Sequence, residues 1–380
     1  MLLDWLRQSF EISHTSHQSI KSMEGIRGFA VFLVFLVHFT TLVYPWLAHG
    51  TLTYTISESV RSVGNIGVDL FFVLSGFLIY GMIMRKETPF LIYLQRRLQR
   101  IYPTFIVVFV IYLLLSFAFP HQSKIPGDMW SGFIYIVENF LLLPGLFNIE
   151  PIITVAWSLS YEFLYYLIMP MVVFFLRLKE WKPLYRVVLF VMLTVVMFWF
   201  FSQYGGPLRL TIFIAGILLF EAMQRKNKLK LPPVGLVALM LAIFSVVGLK
   251  ALGLVGWWNT VLIYILFFIF CFECFSSSGL TRWLFSGTYL RWLGNMSYSY
   301  YLIHGLSLKF IFLVVAFIYP PAGSDVVVFW VMLPIAFLWT LIPSTVLFLM
   351  VEKPYSLRNK PLVPKHVVDR LRSRLKFSPD

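Results

Sequence analysis

Long apolar runs separated by short polar segments dominate the chain. Crossing a bilayer core of about 30 Å as a helix takes roughly 17–25 apolar residues. Runs of that kind lie near 26–45, 66–84, 101–119, 154–176, 184–203, 208–224, 232–249, 257–275, 297–318 and 326–350. The pattern predicts an all-α, polytopic integral membrane protein with about ten transmembrane helices. The stretch 130–146, WSGFIYIVENFLLLPGL, is also apolar, but it is shorter, carries Glu138 and Asn139 and ends in Pro-Gly. It reads as an interfacial or re-entrant piece. No internal repeat is visible, and no segment alternates as an outer-membrane barrel strand does.

Charge gives these runs a direction. Cytoplasmic loops carry an excess of Lys and Arg. With the N-terminus inside, the inner segments hold Arg7 and Lys21, then Arg85, Lys86, Arg96, Arg97 and Arg100, then Arg177, Lys179, Lys182 and Arg186, and so on to a basic C-terminal tail. Arg61, Lys124, Arg209 and Lys250 are left outside. Counting 130–146 as a further span would break this alternation. The expectation is therefore a multi-pass protein of the cytoplasmic (inner) membrane with both termini cytoplasmic. It divides into an N-terminal tail (1–22), a membrane domain (23–352) and a basic tail (353–380) with a weak amphipathic surface helix near 363–376.

Composition agrees: 59% of residues are hydrophobic and 13% charged, against about 25% charged in soluble domains. The net charge of +14 sits between spans, so loop bias explains it and no nucleic-acid partner is implied. Cys271 and Cys274 lie on one helical turn, poor geometry for a disulfide and half a metal site at best, so they read as packing residues. The N-terminus lacks the basic, apolar and small-residue regions of a signal peptide.

The candidate chemistry lies in polar residues placed inside apolar runs. Arg27 and His38 are eleven positions apart, which puts both on one helical face about 16 Å apart along the axis. With Arg27 at the cytoplasmic edge, His38 falls near the middle of the slab. A polar residue there is costly and marks a functional site by default, although a hydrogen bond to a neighbouring helix would also account for it. Asp69 falls near the outer face and Ser75 near the middle of the second run. Glu162 falls at a depth similar to His38, with Trp157 and Ser160 above it, and His304 about 10 Å above the cytoplasmic edge. A His and a carboxylate at one depth suit a general base and its orienting partner. Arg96, Arg97 and Arg100 in YLQRRLQRIYP suit either lipid headgroups or the phosphates of a cytosolic ligand. There is no G-x-x-x-x-G-K-[ST] phosphate loop and no zinc-type spacing of His and carboxylates.

Several of these segments resemble a known family. EGIRGFAVFLVFLVH, with Arg27 and His38 separated by ten residues, resembles the R-X10-H motif of the membrane acyltransferase-3 family. GVDLFFVLSGFLI, RRLQRIYP, WSLSYEFLYY with Glu162, GNMSYSYYLIH ending in His304 and VEKPYS with Glu352 are similar to its further motifs, in order from residue 24 to 356. The resemblance implies O-acyl transfer, usually of acetyl, from cytosolic acyl-CoA to a hydroxyl on a cell-surface carbohydrate such as lipopolysaccharide O-antigen or exopolysaccharide. Acyl-CoA would be a substrate, with no bound cofactor and no metal. Under this reading His38 is a general base or a transient acyl carrier, and Glu162 orients it or stabilises its imidazolium. Arg27, Arg96, Arg97 and Arg100 hold the coenzyme A phosphates. Asp69, Ser75, Trp157, Ser160, Tyr298 and His304 line the pocket. Some relatives carry an extracytoplasmic SGNH hydrolase-like domain. The chain ends about thirty residues after its last run, so it is expected to lack one and either to act alone on a carbohydrate or lipid-linked glycan acceptor or to work with a partner protein. The alternative reading is a transporter or flippase for a glycan or lipid-linked substrate. Transporters usually show related halves with broken helices at matching positions, and none is found.

Overall fold

The computed structural model describes residues 2–12, 21–85, 88–224, 233–254, 256–276, 279–321 and 326–357. Among these residues there are α-helices and short 3-10 turns but no β-strand. The helices are α1 (Leu2–Phe10), α2 (Lys21–Val43), α3 (Leu52–Arg85), α4 (Phe90–Ala118), α5 (Met129–Phe140), α6 (Ala156–Phe175) and α7 (Pro183–Tyr204). They continue with α8 (Ile212–Met223), α9 (Gly235–Ala251), α10 (Trp257–Ser276), α11 (Leu280–Phe285), α12 (Thr288–Asn295), α13 (Ser297–Ile318) and α14 (Val326–Leu347). A π-helical segment, Phe348–Ser356, follows.

Each of the ten apolar runs forms a helix. Eight helical stretches among the described residues are long and apolar enough to cross a membrane. The two shorter ones are α9, with 17 residues, and α8, with 12 residues preceded by the 3-10 turn Leu208–Thr211. Helix α3 is longer than its run: 34 residues span about 51 Å, well beyond a hydrocarbon core. The apolar stretch at 130–146 yields α5, 12 residues long and too short to span, capped by the Asp128 side chain on Ser131 N–H. Cys271 and Cys274 are free and buried.

Helix α3 is the spine of the bundle and packs along α2, α6 and α8. Small residues set these contacts, as expected where lipid offers no hydrophobic drive for helices to meet. A Cβ on Gly76 would overlap the Phe213 carbonyl of α8, and one on Gly216 would overlap the Val73 carbonyl of α3. Against α2, Gly64 faces Leu33 and Val37, and Gly67 faces Ala30 and Leu33. That antiparallel register fixes relative depth: Gly64 lies level with Val37, and Ser75, eleven residues further along α3, lies level with the start of the Arg27 turn.

The end of α1 packs against the π-helical segment. Phe10 stacks on Phe348 with ring centroids 5.6 Å apart. Lys353 Nζ donates to the carbonyls of Gln8 and Ser9 at 2.9 and 2.7 Å. The surface helix expected near 363–376 lies outside the described residues.

Two buried carboxylates fasten the helices at this end. Glu221 receives Arg186 Nε and Nη2 at 2.7 and 3.0 Å and the Tyr80 hydroxyl at 2.5 Å. Glu352, fully buried, receives Arg100 Nη1 at 2.8 Å, and the Ser299 N–H and hydroxyl at 2.9 and 2.6 Å. Pro354 has no N–H to continue an α ladder, and the wider π turns take it up.

Candidate active site

Helices α2, α3, α4, α6 and α13 enclose a cavity of about 130 Å³. Its wall follows α3 from Val68 to Ile79, eleven residues or about 16 Å. Arg27, Arg97, Arg100 and Glu162 are the charged side chains in the wall, with Ser75, Ser158, Tyr166, Ser297, Tyr298 and Tyr301. Apolar residues of α3 such as Phe71, Leu74 and Leu78 fill the rest.

The charges are unevenly balanced. Arg100 is paired with Glu352 and lies 5.5 Å from the Tyr298 ring. Arg27 Nη2 donates to Ser297 Oγ at 3.0 Å. Arg97 Nη2 reaches Met82 Sδ at 3.4 Å, its guanidinium lies over the Tyr93 and Tyr166 rings, and its Nε is buried with no hydrogen bond. Neither Arg27 nor Arg97 forms an ion pair among the described residues. Glu162 Oε1 accepts from Tyr166 Oη at 2.6 Å and Ser75 Oγ at 3.2 Å. The cavity thus holds two guanidiniums without a paired carboxylate, in surroundings that make an unpaired cation costly. Such a site favours an anionic guest. The Met82 contact places Arg97 toward the α3 C-terminus, and the Phe71–Tyr301 ring contact of 5.9 Å places Tyr301 at the opposite end.

His38 lies outside this wall. It is half-buried, one residue past the turn of α2 that meets Gly64, and so beyond the Val68 end of the cavity. The His38 and His304 rings meet edge to face with centroids 5.0 Å apart. Tyr301 lies between the cavity and this pair. It lines the cavity, its hydroxyl bonds Ser158 Oγ at 2.7 Å, and its ring is 6.2 Å from His304.

The structure sorts the sequence candidates into three groups. Arg27, Arg97, Arg100, Glu162, Ser75 and Tyr298 share the cavity. His38 and His304 form a ring pair outside it. The remaining four stand apart. Arg96 is exposed because it projects about 100° around α4 from Arg97. Ser160 is buried and donates to the Ala156 carbonyl at 3.2 Å. Asp69 pairs with Arg209 at 3.3 Å, and Arg209 covers the Trp157 ring at 5.8 Å. The shared depth expected for His38 and Glu162 also changes. Glu162 bonds Ser75 at the Arg27 level, and none of its hydrogen bonds reaches His38. The sequence reading passed over Tyr166 and Tyr301. Tyr166 was accessible to it, four residues after Glu162 and hence on the same helical face. Tyr301 was not, because its role depends on a contact with α6.

A sequence model of the family described as "Acyltransferase domain" matches residues 20–349. Acyltransferase MdmB of Streptomyces mycarofaciens is 31% identical over 115 residues, covering 30% of this chain and 29% of that protein. O-acetyltransferase OatA of Staphylococcus aureus is 27% identical over 292 residues, 67% of this chain and 48% of the relative. Peptidoglycan O-acetyltransferase OatA of Listeria monocytogenes is 29% identical over 152 residues, 36% of this chain and 24% of the relative. The chain spans about half, or less, of the length of these curated relatives. No solved structure matches it. With a match running from the end of the N-terminal segment to the last helix, the chain belongs to the acyltransferase-3 family.

Proposed function

We propose that the protein is an inner-membrane O-acetyltransferase that takes an acetyl group from cytosolic acyl-CoA and passes it to a hydroxyl of a cell-surface carbohydrate. The observation that carries this reading is the cation-rich cavity, which runs about 16 Å along α3 and ends against Tyr301, beside the His38–His304 pair. The names of the relatives support acetyl as the group and a surface glycan as the acceptor. Basic residues concentrated at the Arg85 and Arg97 end support a cytoplasmic mouth there, with both termini on that side.

In this reading Arg27 and Arg97 meet the donor's phosphates, and Arg100 is kept in place by Glu352. Glu162 holds Tyr166 and Ser75. The donor threads toward Tyr301, whose side chain must yield for the thioester to come within reach of His38. An imidazole nitrogen of His38 takes the proton of the acceptor hydroxyl. The oxygen attacks the thioester carbonyl carbon, an ester C–O bond forms and the C–S bond breaks. The leaving thiolate takes the proton back from the imidazolium, giving free coenzyme A and the acetylated glycan. The test uses purified protein in nanodiscs with radiolabelled acetyl-CoA and a candidate glycan. Release of free CoA with label on the glycan is expected from the wild type and is lost in His38→Ala. Donor binding without turnover, or undiminished turnover in His38→Ala, contradicts the reading.

A further inference from the structure

The reaction asks one thing of His38 that Glu162 does not provide here: a partner that fixes which nitrogen bears the hydrogen and where the other points. His304 has the features of such a partner. It is fully buried on α13. Its Nδ1 lies 2.9 Å from the Tyr300 carbonyl. A carbonyl can only accept, so Nδ1 carries the hydrogen and Nε2 is left as a bare acceptor. That Nε2 is buried with no hydrogen-bond partner. Packing holds the ring still. It stacks on Tyr300 at 5.4 Å and 11°, and the Tyr300 hydroxyl is bonded to Thr340 Oγ1 at 2.7 Å.

An unsatisfied buried acceptor is costly and asks for a donor. The ring of His38 packs edge to face against this imidazole, with centroids 5.0 Å apart. That separation suits two imidazoles joined by a single N–H···N bond of about 2.9 Å.

We propose that His304 is the positioning residue for His38: its Nε2 accepts the N–H of His38 and leaves the other His38 nitrogen bare toward the acceptor hydroxyl. This rests on the acyl-transfer reading above and assigns the orienting task to α13 instead of α6. The hydrogen stays on His38 throughout, so His304 takes no net proton.

The test compares wild type, His304→Phe and His304→Gln in nanodiscs, measuring kcat and KM for acetyl-CoA together with direct acetyl-CoA binding. Phe keeps a ring and removes the acceptor; Gln can place an amide oxygen near the position of Nε2. The expected result is a roughly 100-fold fall in kcat for Phe, with KM and binding within about twofold of wild type, and recovery of at least tenfold in kcat by Gln. A Phe variant with wild-type kcat overturns the proposal. So does a Gln variant as slow as Phe, and so does loss of acetyl-CoA binding in step with turnover, which marks a packing role. Wild-type turnover in the same experiment separates the two readings. If the wild type releases no CoA, acyl transfer itself falls and takes this role with it; if it does and His304→Phe matches it, only His304's role falls.

Discussion

Glu352→Ala removes the carboxylate that joins the π-helical segment to α4 and α13. The side chain is wholly inaccessible and accepts from Arg100 Nη1, Ser299 N–H and Ser299 Oγ at 2.8, 2.9 and 2.6 Å. Deleting one member of a buried pair leaves the other charge uncompensated, a loss of about 3–5 kcal/mol. The N–H at the start of α13 loses its acceptor as well, so the upper half of that range is expected. Glu352→Gln keeps an acceptor for Ser299 but not the charge, and is expected to lose about 1.5–3 kcal/mol. The double variant Arg100→Leu, Glu352→Leu replaces the pair with apolar groups and is expected to regain most of the stability, while KM for acetyl-CoA stays raised about tenfold (~1.4 kcal/mol). Unfolding in nanodiscs followed by tryptophan fluorescence, alongside steady-state kinetics, reads both effects. Glu221→Ala is the control. It breaks a pair of similar burial, Arg186 on Glu221 at 2.7 Å, whose residues are not part of the cavity wall, so stability falls and KM stays. Glu352→Ala with wild-type stability would show that the pair is not an anchor, and a double variant with wild-type KM would show that Arg100 does not meet the donor.

Other outcomes follow from the same geometry. Arg97→Ala is expected to raise KM for acetyl-CoA about tenfold with little change in kcat, whereas Arg96→Ala, at an exposed position, leaves both within twofold; equal effects would mean the α4 arginines act as a surface patch. Arg27→Lys keeps the charge but loses the planar fork, and weaker acetyl-CoA binding by calorimetry is expected. Gly76→Val drives a side chain into the Phe213 carbonyl, so α3 and α8 must part. A loss of at least about 1–3 kcal/mol is expected in the unfolding assay, and an unchanged midpoint would contradict the close contact.

The run lengths alone were enough to predict the helices, because each had to satisfy its own backbone in a bilayer. The partnership of Arg27 with an arginine cluster was legible in the same way, and on α4 the facing could be refined: Arg97 shares its face with Thr104 and Val108, both buried. Depth was less legible. Placing Glu162 beside His38 assumed that each helix starts at a slab edge. In the fold, Gly64 and Gly67 of α3, packed against α2, set the register of the two helices, Ser75 follows from it, and Glu162 is bonded to Ser75. The His38–His304 contact and the Glu352 anchor each join residues far apart in the chain. Residue type marked both positions as unusual, but only packing could show what they face.

In the proposed reaction the cavity receives the acyl donor and delivers its thioester to His38. A cryo-EM structure with a non-hydrolysable acetyl-CoA analogue would show whether it does. Phosphate density is expected within hydrogen-bonding distance of Arg97 and Arg27, with Tyr301 turned away from Ser158 and the thioester-mimicking carbonyl next to the His38 ring. Density for the analogue at the opposite end of the bundle, or inside the cavity with Tyr301 still closed and the carbonyl remote from His38, would contradict it.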